Sequence, residues 1–202
     1  MKITVDIPVI ETEDLILREY RDSDFEAFAA FGTSDRAAYV GGPHSRWDSW
    51  RAFMAGIGHW ALRGYGMWMI EHRATGSVAG RVGMILNDGW DEPELGWHIY
   101  DGFEGKGYAY QSALAARAHA ARHFGLDGVI SYIDATNTRS LRLADRLGAK
   151  HERDGTVVGT PCQVGAPPHR RGRGNDTDHA AALKPSTPEA MARRRLARPC
   201  RC

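Results

Sequence analysis

The chain has 202 residues, 43% hydrophobic and 25% charged, with a formal net charge of +1. That profile suits one globular domain with an appendage, large enough to bury an apolar interior without disulfide or metal staples. It excludes a membrane span, because no run approaches the ~18 consecutive apolar residues that a span needs. The opening MKITVDIPVIETED lacks a basic patch, an apolar run and a small-residue cleavage site, so no secretory leader is expected. Cys162, Cys200 and Cys202 all fall late in the chain, which speaks against a disulfide framework and for a reducing, cytoplasmic compartment.

The near-neutral charge hides an asymmetry. Residues 165–202 hold nine Lys and Arg against three acids, a net of +6, so residues 1–164 carry −5. Every aromatic residue lies in 1–164. Two parts are expected: a mildly acidic, aromatic-rich domain over 1–164 and a basic Pro/Ala/Arg-rich tail over 165–202. The only large apolar residues of the tail are Leu183, Met191 and Leu196, too few to offset chain entropy, which predicts disorder. Its composition also reads as a shifted frame of a GC-rich gene, a hypothesis that fails if the coding DNA holds no better-matching overlapping frame. No aromatic accompanies the tail's arginines, so bases have nothing to stack on and nucleic acid is not the expected partner.

Leu15, Ile16, Leu17 and Tyr20 predict a strand over 14–20. Asp22-Ser23-Asp24 supplies cap candidates for a helix through Phe31 that buries Phe25, Phe28 and Ala29. Gly41-Gly42-Pro43 breaks the chain. Trp50, Phe53, Ile57 and Trp60, spaced three and four apart, predict a helix over 46–62 that Gly64 ends. Tyr65–His72, Ser77–Leu86 and Glu94–Tyr100 read as an antiparallel meander, with Thr75-Gly76 turning the first pair. A glycine-rich turn then opens a helix over 107–123. Its stripe Ala109, Ala113, Ala116, Ala120 and Phe124 is narrow enough to lie close on a sheet. VISYI reads as a fully buried strand within 128–133, and a short helix over 138–147 buries Leu141, Ala144 and Leu147. Strand, helix and strand in this order imply a parallel crossover joined to the meander.

Three segments point to chemistry. The turn Glu104-Gly105-Lys106-Gly107-Tyr108-Ala109 lies between strand and helix. Free amides at a helix start, with glycines that admit close approach, suit a phosphate or diphosphate. The turn matches neither the P-loop pattern nor Gly-x-Gly-x-x-Gly, and taken alone it also fits a plain loop. Asn137 and Ser140 follow VISYI. They fit a helix cap, and they also fall at the carboxyl end of a parallel strand, where ligands bind in open α/β sheets. Glu94 shares a strand face with Gly96 and His98, opposite Leu95, Trp97 and Ile99. It reads either as a solvated edge residue or as a carboxylate facing a cleft.

Together these segments resemble the GCN5-related N-acetyltransferase (GNAT) family, nearest its ribosomal-protein-alanine acetyltransferase branch, over about residues 11–155. TEDLILREYRDSDFEAF is similar to the family's opening strand of the type Thr-Glu-Arg-Leu-x-Leu-Arg. ELGWHIYDGFEGKGYAYQSA and YIDATNTRSLRLADRLGAK carry the rest, in matching order and spacing. The resemblance implies an α/β fold, with a mixed, splayed β-sheet flanked by helices. It implies acetyl-CoA as donor: the diphosphate on Gly105, Lys106, Gly107, Tyr108 and Ala109, the pantetheine arm paired with Trp97, His98 and Ile99, and Asn137 holding the cofactor. Glu94 is then the base that deprotonates an amine acceptor, and Ser140 the donor to the departing thiolate. Trp90, in the loop before Glu94, is the candidate acceptor contact, and residues 32–48 and 87–93 are expected to shape that pocket.

Three departures stand out. Glu104 replaces a Gln or Arg common in relatives and adds repulsion toward a diphosphate. Ala144 stands where many relatives carry a tyrosine acid. The closing hairpin, expected at Ala149–Arg153 and Val157–Val164, loses its pattern at Gly165. A truncated hairpin would leave an open edge inviting a second copy of the chain. With Glu104, it also motivates a rival reading, an acyl-CoA-binding module with little catalysis. No metal is expected, since the nine histidines show no ligand spacing beyond His119 and His123. Cys162 is expected outside the site.

Overall fold

Apolar alternation in the meander and small residues on one helix dictate the layers. The structure is a computed structural model that describes residues 4–157 and 159–167. All of these belong to one unit, Met1–Arg170. The strands are β1 (Ile10–Glu11), β2 (Leu15–Arg18), β3 (Met67–His72), β4 (Val78–Ile85), β5 (Glu94–Ile99), β6 (Ser131–Ile133), β7 (Lys150–Val157) and β8 (Thr160–Ala166). The helices are α1 (Phe25–Gly32), α2 (Arg46–Arg63), α3 (Tyr108–His123) and α4 (Thr138–Arg146), and a 3-10 turn spans Asp35–Val40. Strands β1 to β5 form one antiparallel sheet in chain order, and β6, β8 and β7 form a second, with β8 central. A single parallel bridge, Glu94 to Ile130, joins them.

Leu15, Leu17, Trp68, Ile70, Val82 and Met84 are fully enclosed within the first sheet's core. Ala113, Ala116 and Ala120 of α3 are equally buried, so the small-residue stripe seats its helix on the sheet as its spacing indicates. From α2, Phe53 and Trp60 complete the core, and the Trp60 indole donates to Met67 O at 2.8 Å. That bond satisfies the one polar group a buried tryptophan brings.

Four expectations change. No side chain caps α1: the Asp24 carboxylate, buried, accepts from both terminal guanidinium nitrogens of Arg18 at 2.8 Å and from the Arg21 amide instead. A bidentate ion pair outbids a cap for the same oxygens. Strand β6 is shorter than VISYI, because Ile130 bridges to Glu94 while pairing with β8 begins at Ser131. On α4, Leu143 is buried with Ala144 and Leu147, and Leu141 is only half-buried. The closing hairpin is not truncated. β8 runs past Val164, with Gly165 paired to His151 and Ala166 to Lys150. The outer strand of that sheet is β7, whose Lys150, Glu152, Arg153 and Asp154 present charges of the kind that blunt an edge, so the expected open last strand does not exist. The remainder of the basic tail, from residue 168, lies outside the described residues, and with it the expectations of disorder and of a shifted frame.

Candidate functional site

The two sheets part immediately after Glu94, and that parting makes the cleft. Leu95 N donates to Ile130 O at 2.8 Å, and Ser131 Oγ donates to Leu95 O at 2.8 Å. Beyond Leu95, β6 turns to β8 and leaves β5. Backbone groups alternate sides along a strand. Tyr100 N donates to Ala79 O, toward β4. Trp97 and Ile99, two and four residues beyond Leu95, therefore turn their amides and carbonyls the other way, onto the open edge. His98 has the opposite parity, so its backbone faces β4. It reaches the cleft only by its ring, whose Nδ1 accepts from Arg81 Nε at 3.0 Å. Burial, with Arg81 beside it, holds that ring well below the ordinary histidine range.

A cavity of about 580 Å³ fills the parting. Glu94, Trp90, Trp97, His98, Asn137 and Ser140 all line it, so the structure brings six of the expected site residues together. Tyr39 and Val40 from the 3-10 turn, together with Asn87, wall it as expected of 32–48 and 87–93. Cys162 lines it too, against expectation, because the complete hairpin carries β8 across the cleft. Burial, and next the Glu94 charge, push its thiol up, so it is no ready nucleophile.

The cleft leaves part of Glu94 accessible, but its carboxylate sits deep among packed atoms. Burial pushes it up from 4.5 to about 7, against a hydrogen bond from Tyr132 N at 3.1 Å that favours the charged form. A side chain at Gly96 would stand 3.3 Å from Glu94 Oε1, so that glycine keeps room beside the carboxylate. Trp90 packs edge-on against Tyr132 with centroids 5.4 Å apart, and its buried indole N–H has no partner among the described residues. Asn137 caps α4, its Oδ1 accepting from Ser140 N at 3.1 Å. Ser140 Oγ accepts from the Trp97 indole at 3.3 Å, which leaves its own proton to donate.

The turn Glu104–Ala109 does not line this cavity. It follows the far end of β5, where Gly107, in the left-handed region at φ +83°, starts α3. The first helical amide to find an intrahelical carbonyl is that of Gln111, on Gly107 O, so the amides of Tyr108, Ala109 and Tyr110 have no backbone partner among the described residues. A Cβ on Gly105 or Gly107 would meet nothing within 4 Å: open space lies in front of the turn. Lys106 Nζ sits 5.5 Å from the Phe103 ring centroid. Glu104 is ion-paired with Arg36, a partner the sequence did not suggest. Of the two supports of the binding-module reading, the truncated hairpin is gone, and Glu104 has an ion-pair partner in Arg36. Among the described residues no helix is long and apolar enough to cross a membrane, and no three His, Cys, Asp or Glu gather as a metal site.

Two sheets thus part beside a buried carboxylate, ahead of a helix with a glycine-rich start. The family model of the acetyltransferase (GNAT) domain matches residues 14–150. An acetyltransferase from Agrobacterium tumefaciens str. C58 is 32% identical, with a TM-score of 0.74 over 82% of this chain and 97% of that one. Two more distant structures share the fold. The ribosomal L7/L12 alpha-N-protein acetyltransferase RimL, in complex with coenzyme A, is 19% identical, with a TM-score of 0.65 over 79% of this chain and 97% of that one. The ribosomal-protein-S5-alanine acetyltransferase from Vibrio fischeri is 13% identical, with a TM-score of 0.63 over 79% and 96%. The chain belongs to the GNAT acetyltransferase family and is an acyltransferase.

Proposed function

We propose that the protein moves an acetyl group from acetyl-CoA to a primary amine, on a protein N-terminus or a small molecule, by direct transfer in the cytoplasm. One observation carries this reading: a carboxyl pushed to about 7 stands in the cleft beside the open edge of β5. A base is most useful when its pKa lies near the working pH, because it is then both ionised and basic enough to take a proton.

The donor, when bound, supplies an acetyl thioester. The amides at 105–109 and Lys106 hold its diphosphate end, and the open edge at Ile99 receives its extended arm as an added strand would be received, which leaves the Trp97 amide to the thioester. Glu94 removes a proton from the ammonium of the acceptor, directly or through water. The amine nitrogen then bonds to the acetyl carbon, and the carbon–sulfur bond breaks. The Trp97 amide faces the side on which the carbonyl oxygen gains negative charge. The second proton of the acceptor nitrogen then passes by way of Ser140, fixed by Asn137 and the Trp97 indole, to the departing thiolate, so that Ser140 ends protonated as it began. The Trp90 N–H, unpartnered in the wall of the cleft, offers the acceptor a hydrogen bond. Cys162 keeps its proton, which favours direct transfer over an acyl-enzyme.

The test is an amine panel with acetyl-CoA, read as release of free thiol by the native protein and by Glu94→Gln. Amine-dependent release that the substitution abolishes supports the reading. Release by no amine, or near-normal turnover of the variant, contradicts it.

A further inference from the structure

One contact ties the glycine-rich turn to a distant part of the chain. Arg36, in the 3-10 turn Asp35–Val40, forms an ion pair with Glu104 and donates Nη2 to Ile99 O at 2.8 Å. Its Nη1 lies 3.7 Å from the Asp101 carboxylate, and the guanidinium stands over the Phe31 ring at 5.7 Å. The side chains of Arg36 and Glu104 are 31% and 22% exposed, so the pair is partly shielded from water, where charge pairing counts for more than at an open surface. By itself the turn is acidic: Asp101 and Glu104 outweigh Lys106 by one charge. A diphosphate approaching it meets repulsion at the residue next to its first glycine. Arg36 brings the group to neutrality.

We propose that Arg36 is a positioning residue for the acyl donor: by holding Glu104 it cancels the carboxylate at the mouth of the amide cradle and lets a diphosphate bind there. The positive charge that this turn lacks in sequence is thus supplied in space from the 35–40 segment. The proposal rests on the reading of residues 105–109 as the diphosphate receptor. Arg36 also has a structural contact, its bond to Ile99 O, which does not involve Glu104. The two roles separate when Glu104 is neutralised.

The experiment is calorimetric titration with coenzyme A of four proteins: native, Arg36→Ala, Glu104→Gln and the double variant, each first checked by thermal melting. Arg36→Ala should weaken binding by about tenfold or more. The double variant should recover to within about threefold of native, because no carboxylate is left to cancel. Glu104→Gln alone should bind at least as tightly as native. Unchanged affinity in Arg36→Ala, or a double variant as weak as Arg36→Ala, overturns the proposal. If Arg36→Ala does not fold, Glu104→Gln decides, since weaker binding there contradicts the charge argument. Silence in all four proteins would instead remove the donor reading itself.

Discussion

At the scale of single residues, Glu94 carries the chemistry and its environment carries Glu94. Replacement by Gln keeps the volume and an acceptor for the Tyr132 amide but removes the base. Turnover should fall by about 10²–10⁴-fold with coenzyme A affinity almost unchanged, checked by steady-state kinetics beside calorimetry. In the native protein kcat/KM should rise with pH through a limb centred near 7, and the variant should lack that limb. Stability should respond in the opposite sense. A carboxyl raised from 4.5 to about 7 keeps its proton in the folded state where the unfolded chain has lost it. Its contribution is therefore complete below about 4.5 and is lost as pH climbs through about 7. From pH 4.5 to pH 8 the native protein should lose about 3 kcal/mol relative to Glu94→Gln, seen as diverging melting temperatures. Parallel curves would mean that the carboxyl is not perturbed. Glu94 was legible because strand alternation placed it opposite Leu95 and Trp97. Arg36 was not, because an ion pair between distant segments leaves no mark in local spacing. Cys162 was misplaced for the same reason: its position depends on how β8 pairs with β6.

At the scale of elements, the start of α3 and the close pairing of β4 are the sensitive places. Gly102 and Gly107 have nearly equal positive φ, +80° and +83°, and a Cβ on either meets open space. Substituting Val at either position should cost a similar strain, about 1–2 kcal/mol. Only Gly107→Val also fills the space before the amides, so it alone should lose coenzyme A affinity by tenfold or more, on the order of 1.4 kcal/mol. Equal affinities in the two variants would move the diphosphate elsewhere. Gly80 in β4 lies under a different constraint, since an added Cβ would stand 2.1 Å from His98 O. Gly80→Ala should force β4 from β5 and destabilise the fold by about 3 kcal/mol or more, measured by denaturant melts. The helices and the meander were readable because their periods are local: Phe53 and Trp60 lie two turns apart on one helix face, and Val82 and Met84 one strand period apart. Asp24 was misread because its carboxylate had a tertiary partner that a cap rule does not weigh.

At the scale of the molecule, activity depends on two sheets that meet at Glu94 and Leu95 and then separate. The order of segments foretold the crossover, since a helix between parallel strands leaves few topologies. The completeness of the closing hairpin was not foretold. Gly165 and Ala166 have no apolar signature of their own, yet the register with His151 and Lys150 carries them into β8. That strand supplies the far wall of the cavity, so the fold reaches further along the chain than composition indicated. The most direct test of the whole account is calorimetric titration of the native protein with coenzyme A, repeated on Gly107→Val. The account requires saturable uptake of one equivalent per chain, sharply weakened in the variant. Absence of uptake by native, cooperatively melting protein would contradict it.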